Sequence, residues 1–449
     1  MDRARLSHLL ARESAEAGRR NPRSRAAYER ADHLFGRVPM TWMNKTAAGS
    51  FPRYLDTARG ARITDIDGHE YIDFCLGDTG AMAGHSPAVV AEAVQRRFGT
   101  LGGATAMLPT EDAEWVGAEL TRRFGLARWS FSLTATDANR WAIRLARAVT
   151  GRPKILVNSY SYHGSVDESL IVVGPDGSGT ARPGNVGAPC DVTLTSRVAE
   201  FNDLAQLERE LAHGDVAAVL MEPALTNIGI VLPEAGYLAG VRELTRRHGV
   251  LLINDETHTF SAGPGGCTAA WGLEPDMLTI GKAIGGGIPA GAYGLSAELA
   301  DRLLDRSDLD LVDMGGVGGT LAGNALSVAA MRATLEHVLT DEAFAAMAGL
   351  AERFEAGVCA AIDAQGLPWS VSRLGARAEY RFASPAPRTG SESAAVADAG
   401  LEDYLHLYLA NRGILLTPFH NMALMCPDTT RQDVDTHTEV FTAALAELV

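Results

Sequence analysis

Two stretches of sequence decide the fold, LLINDETHT at residues 251–259 and PDMLTIGKAIGGG at residues 275–287. In each stretch a short apolar run leads to a charged residue, Asp255 in the first and Lys282 in the second. Ligands of open parallel sheets gather at the carboxyl ends of the strands. The pattern therefore predicts two strands that direct a carboxylate and an amine into the same cleft.

Lysine is scarce in this chain, which narrows the candidates for lysine chemistry. Of 40 basic residues only Lys45, Lys154 and Lys282 are lysines, and Lys282 lies just before the glycines 285–287. A tight turn projects the side chain, and a desolvated amine becomes nucleophilic. From these residues alone two plainer alternatives stay open: Lys282 as an exposed loop lysine, and Asp255 as a helix cap or ion-pair partner.

The middle of the chain, residues 110 to 330, alternates short β-rich runs with helical stretches. This alternation predicts crossover units and an α/β fold, in which helices cover both faces of a mainly parallel sheet. The β-rich runs include WSFSLT, KILVNSY, VAAVLMEP and VLLINDE.

The two ends of the chain predict a smaller α+β domain. Residues 1 to about 36 have the pattern of an amphipathic helix interrupted near Asn21-Pro22, and Asp67-Gly68 marks the turn of a hairpin in RITDIDGHEYIDF. Further along, the sequence predicts helices at about 323–338 and 341–366, a strand in GARAEYRF, a loop at 383–395 and a last helix from 431. We therefore assign residues 1–75 and 331–449 to the small domain, and residues 76–330 to the large domain.

Composition excludes several classes of function. The chain has 449 residues, 46% of them hydrophobic, and a formal net charge of -15, which argues against a nucleic-acid surface. Its five cysteines have no CxxC spacing, so neither a disulfide framework nor a metal site is expected. The first residues lack the apolar core of a secretion signal, and no apolar run is long enough for a bilayer. We expect a cytoplasmic protein without a membrane or nucleic-acid partner.

Three further motifs follow predicted strands. Thr134-Ala135-Thr136 opens a helix, where backbone N–H groups, hydroxyls and the helix dipole suit a phosphate, although a plain N-cap has the same pattern. A ring at Tyr162, followed by His163, could stack on a flat heterocycle or simply pack in the core. Glu222 ends the run VAAVLMEP, and Asn227 follows in a loop.

Together these residues resemble the class III aminotransferases, and in particular the branch that contains glutamate-1-semialdehyde aminomutase. The resemblance implies the aspartate aminotransferase-like fold type I of transferases that depend on pyridoxal 5'-phosphate (PLP). It implies a Schiff base between PLP and Lys282, and Asp255 at the pyridine nitrogen. It further implies phosphate binding by Thr134-Ala135-Thr136, ring stacking by Tyr162 in Tyr162-His163-Gly164, and cofactor contacts from Glu222 and Asn227.

The chain departs from the family pattern at identifiable places. The family's Asp-Glu-Val is Asp255-Glu256-Thr257 here, so a threonine replaces the residue that packs under the cofactor ring. Where the aminomutases have a C-terminal glutamate, this chain has PFHNMALM at residues 418–425. The segment GGTLAGNALSVAA resembles the family segment whose threonine reaches the cofactor phosphate of the neighbouring subunit. The resemblance thereby implicates Gly319 and Thr320 and implies a homodimer with shared active sites.

The favoured activity at this point is an aminotransferase that moves an amino group between an amine or amino acid and a keto acid or aldehyde, with Lys282 as the proton-transferring base. An isomerase, either an aminomutase or an amino-acid epimerase, uses the same residues and stays open, as does a PLP-dependent lyase. A protein that only binds or scaffolds is disfavoured because both Asp255 and Lys282 are present.

Candidates for substrate binding come from the predicted small domain. Arg377, in the strand GARAEYRF, could bind a substrate carboxylate, or it could pair structurally with Glu379. Lys45, in TWMNKTAAG, and the loop residues Asp78-Thr79 could also line the pocket.

Overall fold

A computed structural model describes residues 2–47, 51–186, 190–418 and 420–449. Parts of two motifs, Ala48-Gly49 of TWMNKTAAG and Phe419 of PFHNMALM, lie outside these residues. The helices are α1 (Arg3–Arg20), α2 (Pro22–Glu29), α3 (Ala88–Gln95), α4 (Glu111–Phe124), α5 (Ala135–Thr150), α6 (Leu204–Leu211), α7 (Tyr237–His248), α8 (Gly266–Ala270), α9 (Ala297–Leu304), α10 (Ala325–His337), α11 (Asp341–Ala364), α12 (Gly390–Ala395), α13 (Ala399–Ala410) and α14 (Arg431–Leu448).

The strands are short, as expected for an α/β protein. They are β1 (Leu55–Arg59), β2 (Arg62–Asp65), β3 (Glu70–Asp73), β4 (Arg128–Ser132), β5 (Lys154–Asn158), β6 (Ile171–Val173), β7 (Gly179–Ala181), β8 (Ser196–Ala199), β9 (Val216–Met221), β10 (Leu251–Asp255), β11 (Met277–Gly281), β12 (Gly291–Leu295), β13 (Ser370–Leu374), β14 (Arg377–Arg381), β15 (Ile414–Leu415) and β16 (Met422–Leu424).

The chain divides into two compact units, and the larger comprises residues 88–344 and 387–395. Its main sheet has seven strands in the order β4-β12-β11-β10-β9-β5-β8. Strand β12 runs antiparallel to β11 and β4, and the other pairs are parallel. The mainly parallel sheet is therefore confirmed.

Helices cover both faces of this sheet, which explains why its central strands β9, β10 and β11 are buried at nearly every position rather than at alternate ones. On β5, Ile155 and Val157 enter a core with Ala142 and Leu145 of α5. The intervening Leu156 enters a second core with residues of α6 and α7. Because successive side chains of a strand point to opposite faces, α5 lies on one face and the α6–α7 pair on the other.

The smaller unit comprises residues 1–87, 345–386 and 396–449. It contains the sheets β1-β2-β3-β15 and β13-β14-β16. The hairpin at Asp67-Gly68 is confirmed, because β2 pairs antiparallel with β3 on either side of that turn. The break at Asn21-Pro22 is also confirmed, because α1 ends at Arg20 and α2 begins with Pro22 at its first turn, where a missing N–H is tolerated.

The junctions between the units lie at 87/88 and 344/345, compared with the expected 75/76 and 330/331. Residues 76–87 belong with the smaller unit because backbone hydrogen bonds join His85 to Gly60. In addition, the side-chain carboxylate of Asp73 accepts a hydrogen bond from His85 Nε2. The expected loop at 383–395 was wrong in its last part, where α12 begins at Gly390. Among the described residues, no helix combines the length and apolarity needed to cross a bilayer.

Candidate active site

Asp255 is the centre of a buried hydrogen-bond network at the carboxyl end of β10. Its Oδ2 accepts from His163 Nδ1 at 2.9 Å and from Asn139 Nδ2 at 2.8 Å, and its Oδ1 accepts from the Thr257 N–H at 3.1 Å. The residue is only 3% exposed. Burial alone would raise the pKa of Asp255, but the hydrogen bonds and charge of His163, with Thr257 and Asn139, hold that pKa below its usual value.

The partners of Asp255 are themselves held in place. Asn139, on the buried side of α5, donates to the His163 carbonyl at 3.1 Å and accepts from Thr279 Oγ1 at 2.6 Å. The Asn139 amide is thereby oriented to donate to Asp255. His163 Nε2 is buried and has no hydrogen-bond partner among the described residues. An ionised carboxylate has about four acceptor positions, so three bonds leave Asp255 capacity for one more donor.

Lys282 follows directly after β11, whose neighbour in the sheet is β10. Its backbone is left-handed, with φ at 53°, which is costly for a residue with a Cβ atom. The amine lies 2.9 Å from His258 Nε2. The preceding Gly281 leaves no room for a side chain, because a Cβ atom there would lie 2.9 Å from the backbone nitrogen of Ala135. The lysine turn is therefore packed against the start of α5.

The start of α5 offers backbone donors to an anion. Thr134 is the N-cap: its Oγ1 accepts from the Asp137 N–H at 3.1 Å and donates to the Asp137 carboxylate at 2.9 Å. The N-cap alternative is thus realised, and Ala135 and Thr136 supply first-turn N–H groups, which have no acceptor within a helix. Gly164 must be glycine, because a Cβ would lie 2.0 Å from Thr136 Oγ1. The loop at His163 and Gly164 consequently packs against the first turn of α5.

Tyr162 and Glu222 meet beside this network. The Tyr162 side chain is 37% exposed, and its backbone N–H lies 3.4 Å from Glu222 Oε1. Glu222 is buried and accepts a hydrogen bond from Thr226 Oγ1. Burial raises the pKa of Glu222, against the opposing effects of His163 and Thr226. Asn227 is half-buried in the following turn, where its backbone bridges to Gly229.

The remaining candidates fall at different places. The Thr257 hydroxyl is buried without a hydrogen-bond partner among the described residues. Gly319 and Thr320 are exposed in the larger unit. In the smaller unit, Arg377 is buried at the start of β14 and donates to Thr79 Oγ1 at 2.8 Å, and Lys45 is exposed in the 3-10 helix Thr41–Ala47.

Sequence reasoning missed three residues of the site, Asn139, Thr279 and His258. Asn139 carried a usable signal, because an asparagine among apolar residues on the buried side of a helix needs partners. Thr279 interrupts an apolar strand in the same way. His258 lies three residues after Asp255, and nothing in its spacing indicated that it would contact Lys282.

The larger unit fits PLP on its own geometry. PLP presents a ring nitrogen, a phosphate and an aldehyde. Asp255 supplies an ionised acceptor, the first turn of α5 supplies amide donors, and Lys282 supplies an amine. The unpartnered Thr257 hydroxyl and His163 Nε2 provide buried polar atoms with capacity for a ligand.

The mixed seven-stranded sheet and the site at its carboxyl edge define a PLP-dependent enzyme of fold type I. The chain belongs to the class III aminotransferase family, whose model matches residues 44–445. It is 33% identical over 412 residues to a glutamate-1-semialdehyde 2,1-aminomutase of Neisseria meningitidis serogroup A, covering 89% of this chain and 94% of that protein. The family resemblance, the fold type and the PLP cofactor are confirmed.

Two solved structures are similar over nearly the whole chain. A variant of a glutamate-1-semialdehyde aminomutase from Pseudomonas aeruginosa PAO1, in complex with PMP, has a TM-score of 0.97 and 48% identity, covering 100% of both chains. An omega-transaminase from Sphaerobacter thermophilus has a TM-score of 0.85 and 30% identity, covering 94% of this chain and 97% of its own.

Proposed function

We propose that the protein is a PLP-dependent isomerase of the aminomutase type, which moves an amino group within one small amino-carbonyl substrate. The observation that carries this proposal is 48% identity over the full length to a structure described as a glutamate-1-semialdehyde aminomutase. Curated relatives of the same description support it. The proposal replaces the aminotransferase that the sequence alone favoured.

In this proposal each residue of the site has a defined task. Lys282 bonds the cofactor aldehyde and, when released, carries a proton between the reacting carbons. Asp255, fixed by His163, keeps a proton at the ring nitrogen, and bound PLP then supplies an electron sink. The other proposed cofactor contacts are Thr134, Ala135, Thr136, Tyr162, Glu222, Asn227 and Thr257, with Gly319 and Thr320 acting on the neighbouring subunit of a cytoplasmic homodimer.

A second candidate, transfer of the amino group to a separate keto acid or aldehyde, is favoured by one observation. Where the aminomutases have a glutamate in their C-terminal segment, this chain has PFHNMALM at residues 418–425, a segment without a carboxylate. Arg377 and Lys45 are the proposed substrate contacts under either activity.

The cofactor attachment is tested by reducing the PLP-loaded protein with borohydride and mapping the modified peptide. We expect the label on Lys282, and the scarcity of lysine makes the map unambiguous. Lys282→Ala should retain the fold and lose the label. A label on Lys154 or Lys45 in the wild-type protein would reject the proposed site.

The activity is tested by supplying glutamate-1-semialdehyde and a panel of amino acids and amines, each with and without a keto acid. An isomerase turns over repeatedly without the keto acid and keeps the substrate nitrogen in the product, which isotope labelling of the amino group detects. An aminotransferase stops after one half-reaction, with PMP accumulating in proportion to the enzyme, until the keto acid is added.

A further inference from the structure

We infer that His258 is the proton partner and positioning residue of the Lys282 amine, an inference that rests on the proposed role of Lys282. The carrying observation is the 2.9 Å separation of His258 Nε2 from Lys282 Nζ. His258 is only 5% exposed, so water competes little with Lys282 for the imidazole. Contact between two basic nitrogens at this distance requires that one donates a hydrogen to the other.

Backbone hydrogen bonds hold the turn that carries His258. On one side the Thr257 N–H donates to Asp255 Oδ1 at 3.1 Å. On the other, the Ser261 N–H donates to the His258 carbonyl at 3.3 Å, and the Phe260 N–H donates to the Glu256 carbonyl at 2.8 Å. The turn after β10 is thus held on both sides of the histidine.

The carboxylate of Glu256, next but one to His258, is directed elsewhere. It accepts from the backbone N–H groups of Cys267 and Thr268 and from the Thr259 and Thr268 hydroxyls. Burial raises the pKa of Glu256 against these bonds. Glu256 therefore anchors the turn through its bonds to Cys267, Thr268 and Thr259. Because these bonds occupy its carboxylate, His258 is left to contact Lys282.

The pair shares protons because two cations 2.9 Å apart repel each other. The contact as observed therefore needs one neutral partner, which accepts the hydrogen that the other donates. Titratable or charged residues in this part of the larger unit include Asp255, His163, Glu222, Glu256, Tyr162 and Arg182. Of these, Asp255 is engaged by His163 and Glu222 by Thr226.

This arrangement fixes the position of the released amine and accounts for each proton that it exchanges. When Lys282 takes a proton from a substrate carbon, the C–H bond breaks and an N–H bond forms, and the resulting ammonium donates a hydrogen bond to neutral His258. Returning the proton to the neighbouring carbon restores the neutral amine. His258 holds the amine between these two steps, and no additional reactant is required.

The test uses the cofactor-free protein and nuclear magnetic resonance of lysine labelled with 13C at the ε-carbon. Three lysines give three resonances, assigned through Lys282→Ala. We expect His258→Leu to change the pH dependence of the Lys282 resonance, because the ring that exchanges a proton with the amine is gone. Lys45 and Lys154 are internal controls and should titrate identically in both proteins.

His258→Gln separates positioning from proton exchange. The amide retains a hydrogen-bond acceptor but does not titrate, so this variant should keep the Lys282 amine in place and lose the proton exchange with the ring. In the loaded enzyme we expect His258→Gln to preserve most of the half-reaction rate with a flattened pH profile, and His258→Leu to lose at least tenfold in rate. A purely structural role would give the same pH profile in all three proteins, scaled by a constant.

Failure of this inference is distinguishable from failure of the proposed function. Superimposable Lys282 titration curves in wild type and His258→Leu, with borohydride labelling still at Lys282, overturn the role of His258 alone. Labelling at another lysine overturns the proposed function whatever the titration shows. Unchanged Lys45 and Lys154 resonances verify that the variants fold.

Discussion

Each unit of the protein contains a buried carboxylate facing a histidine, and the two pairs differ in how completely the carboxylate is bound. In the larger unit both oxygens of Asp255 accept hydrogen bonds, and His163 Nδ1 lies 2.9 Å away. In the smaller unit, only Oε1 of Glu379 faces His420, at 3.4 Å. Within the described part of the chain, Glu379 Oε2 has no partner.

The difference indicates what each pair is built for. Short, oriented donors fix the Asp255 carboxylate at a strand end where a ligand can approach. The carboxylate is therefore ionised and correctly oriented before the ligand binds. Glu379 is fully buried, its pKa raised by burial but lowered overall by His420 and Arg381. We expect the first pair to govern chemistry and the second to govern stability.

The largest effect should come from exchanging the charge in each pair for a neutral amide. Asp255→Asn removes the acceptor for a protonated ring nitrogen, and we expect kcat to fall on the order of 10²- to 10³-fold. Glu379→Gln is the matched control: it leaves His420 and Arg381 without their buried counter-charge, and we expect the free energy of unfolding to fall by about 3 kcal/mol with a far smaller change in kcat. Steady-state kinetics and urea unfolding measure both. Equal losses of activity in the two variants would contradict the contrast.

Another buried histidine sharpens the comparison because it has no carboxylate partner among the described residues. His437, packed among Phe74, Phe354 and Phe441, has neither ring nitrogen hydrogen-bonded among the described residues, and burial lowers its pKa to about 3. Below about pH 6.5 the unfolded chain protonates this histidine, whereas the folded chain keeps it neutral. His437 therefore has no effect on the free energy of unfolding above about pH 6.5 and lowers it progressively below that pH. Between pH 7.5 and pH 5, His437→Leu should lose about 2 kcal/mol less stability than the wild type. Parallel pH dependences of urea unfolding in the two proteins would show that His437 is hydrated or paired.

The smallest effect is expected at Glu222, which shares the sheet edge with Asp255 but titrates in the opposite direction. Burial raises its pKa, so the folded state holds a proton that the unfolded chain releases, and stability falls as pH rises towards the folded-state value. Glu222→Gln mimics the protonated acid. At pH 4 its unfolding free energy should lie within about 1 kcal/mol of wild type, and the variant should become the more stable as the pH rises. A variant that instead becomes relatively less stable as the pH rises would mean that the ionised form is required.

The sequence predicted the parts of this molecule that repeat a simple pattern. Apolar runs alternating with helices indicated the sheet, and the polar residues ending those runs, Asp255 and Lys282, indicated the site. Helix α13 escaped notice because seven of its residues are buried, so it lacks the amphipathic contrast that marks a surface helix. Strand β14, buried at every position, was found only because charged and apolar residues alternate along it.

Contacts between distant segments were beyond the sequence patterns. Asn139 meets Asp255 across 116 positions, and Lys282 meets His258 across 24. Such pairs depend on strand order and on the rotation of α5, which periodicity does not encode. The use of the Thr134 hydroxyl as a helix cap, rather than as a free donor, likewise depends on the local orientation of the Asp137 side chain.

The left-handed backbone at Lys282 has a consequence for how this protein evolves. With φ at 53°, a side-chain-bearing residue incurs about 1–2 kcal/mol, a cost that glycine at the same position would escape. Replacing Lys282 with glycine would thus relieve the local backbone strain. Under the proposed role of Lys282, selection for stability and selection for activity oppose each other at this position. Descendants that lose the activity should therefore drift towards glycine there.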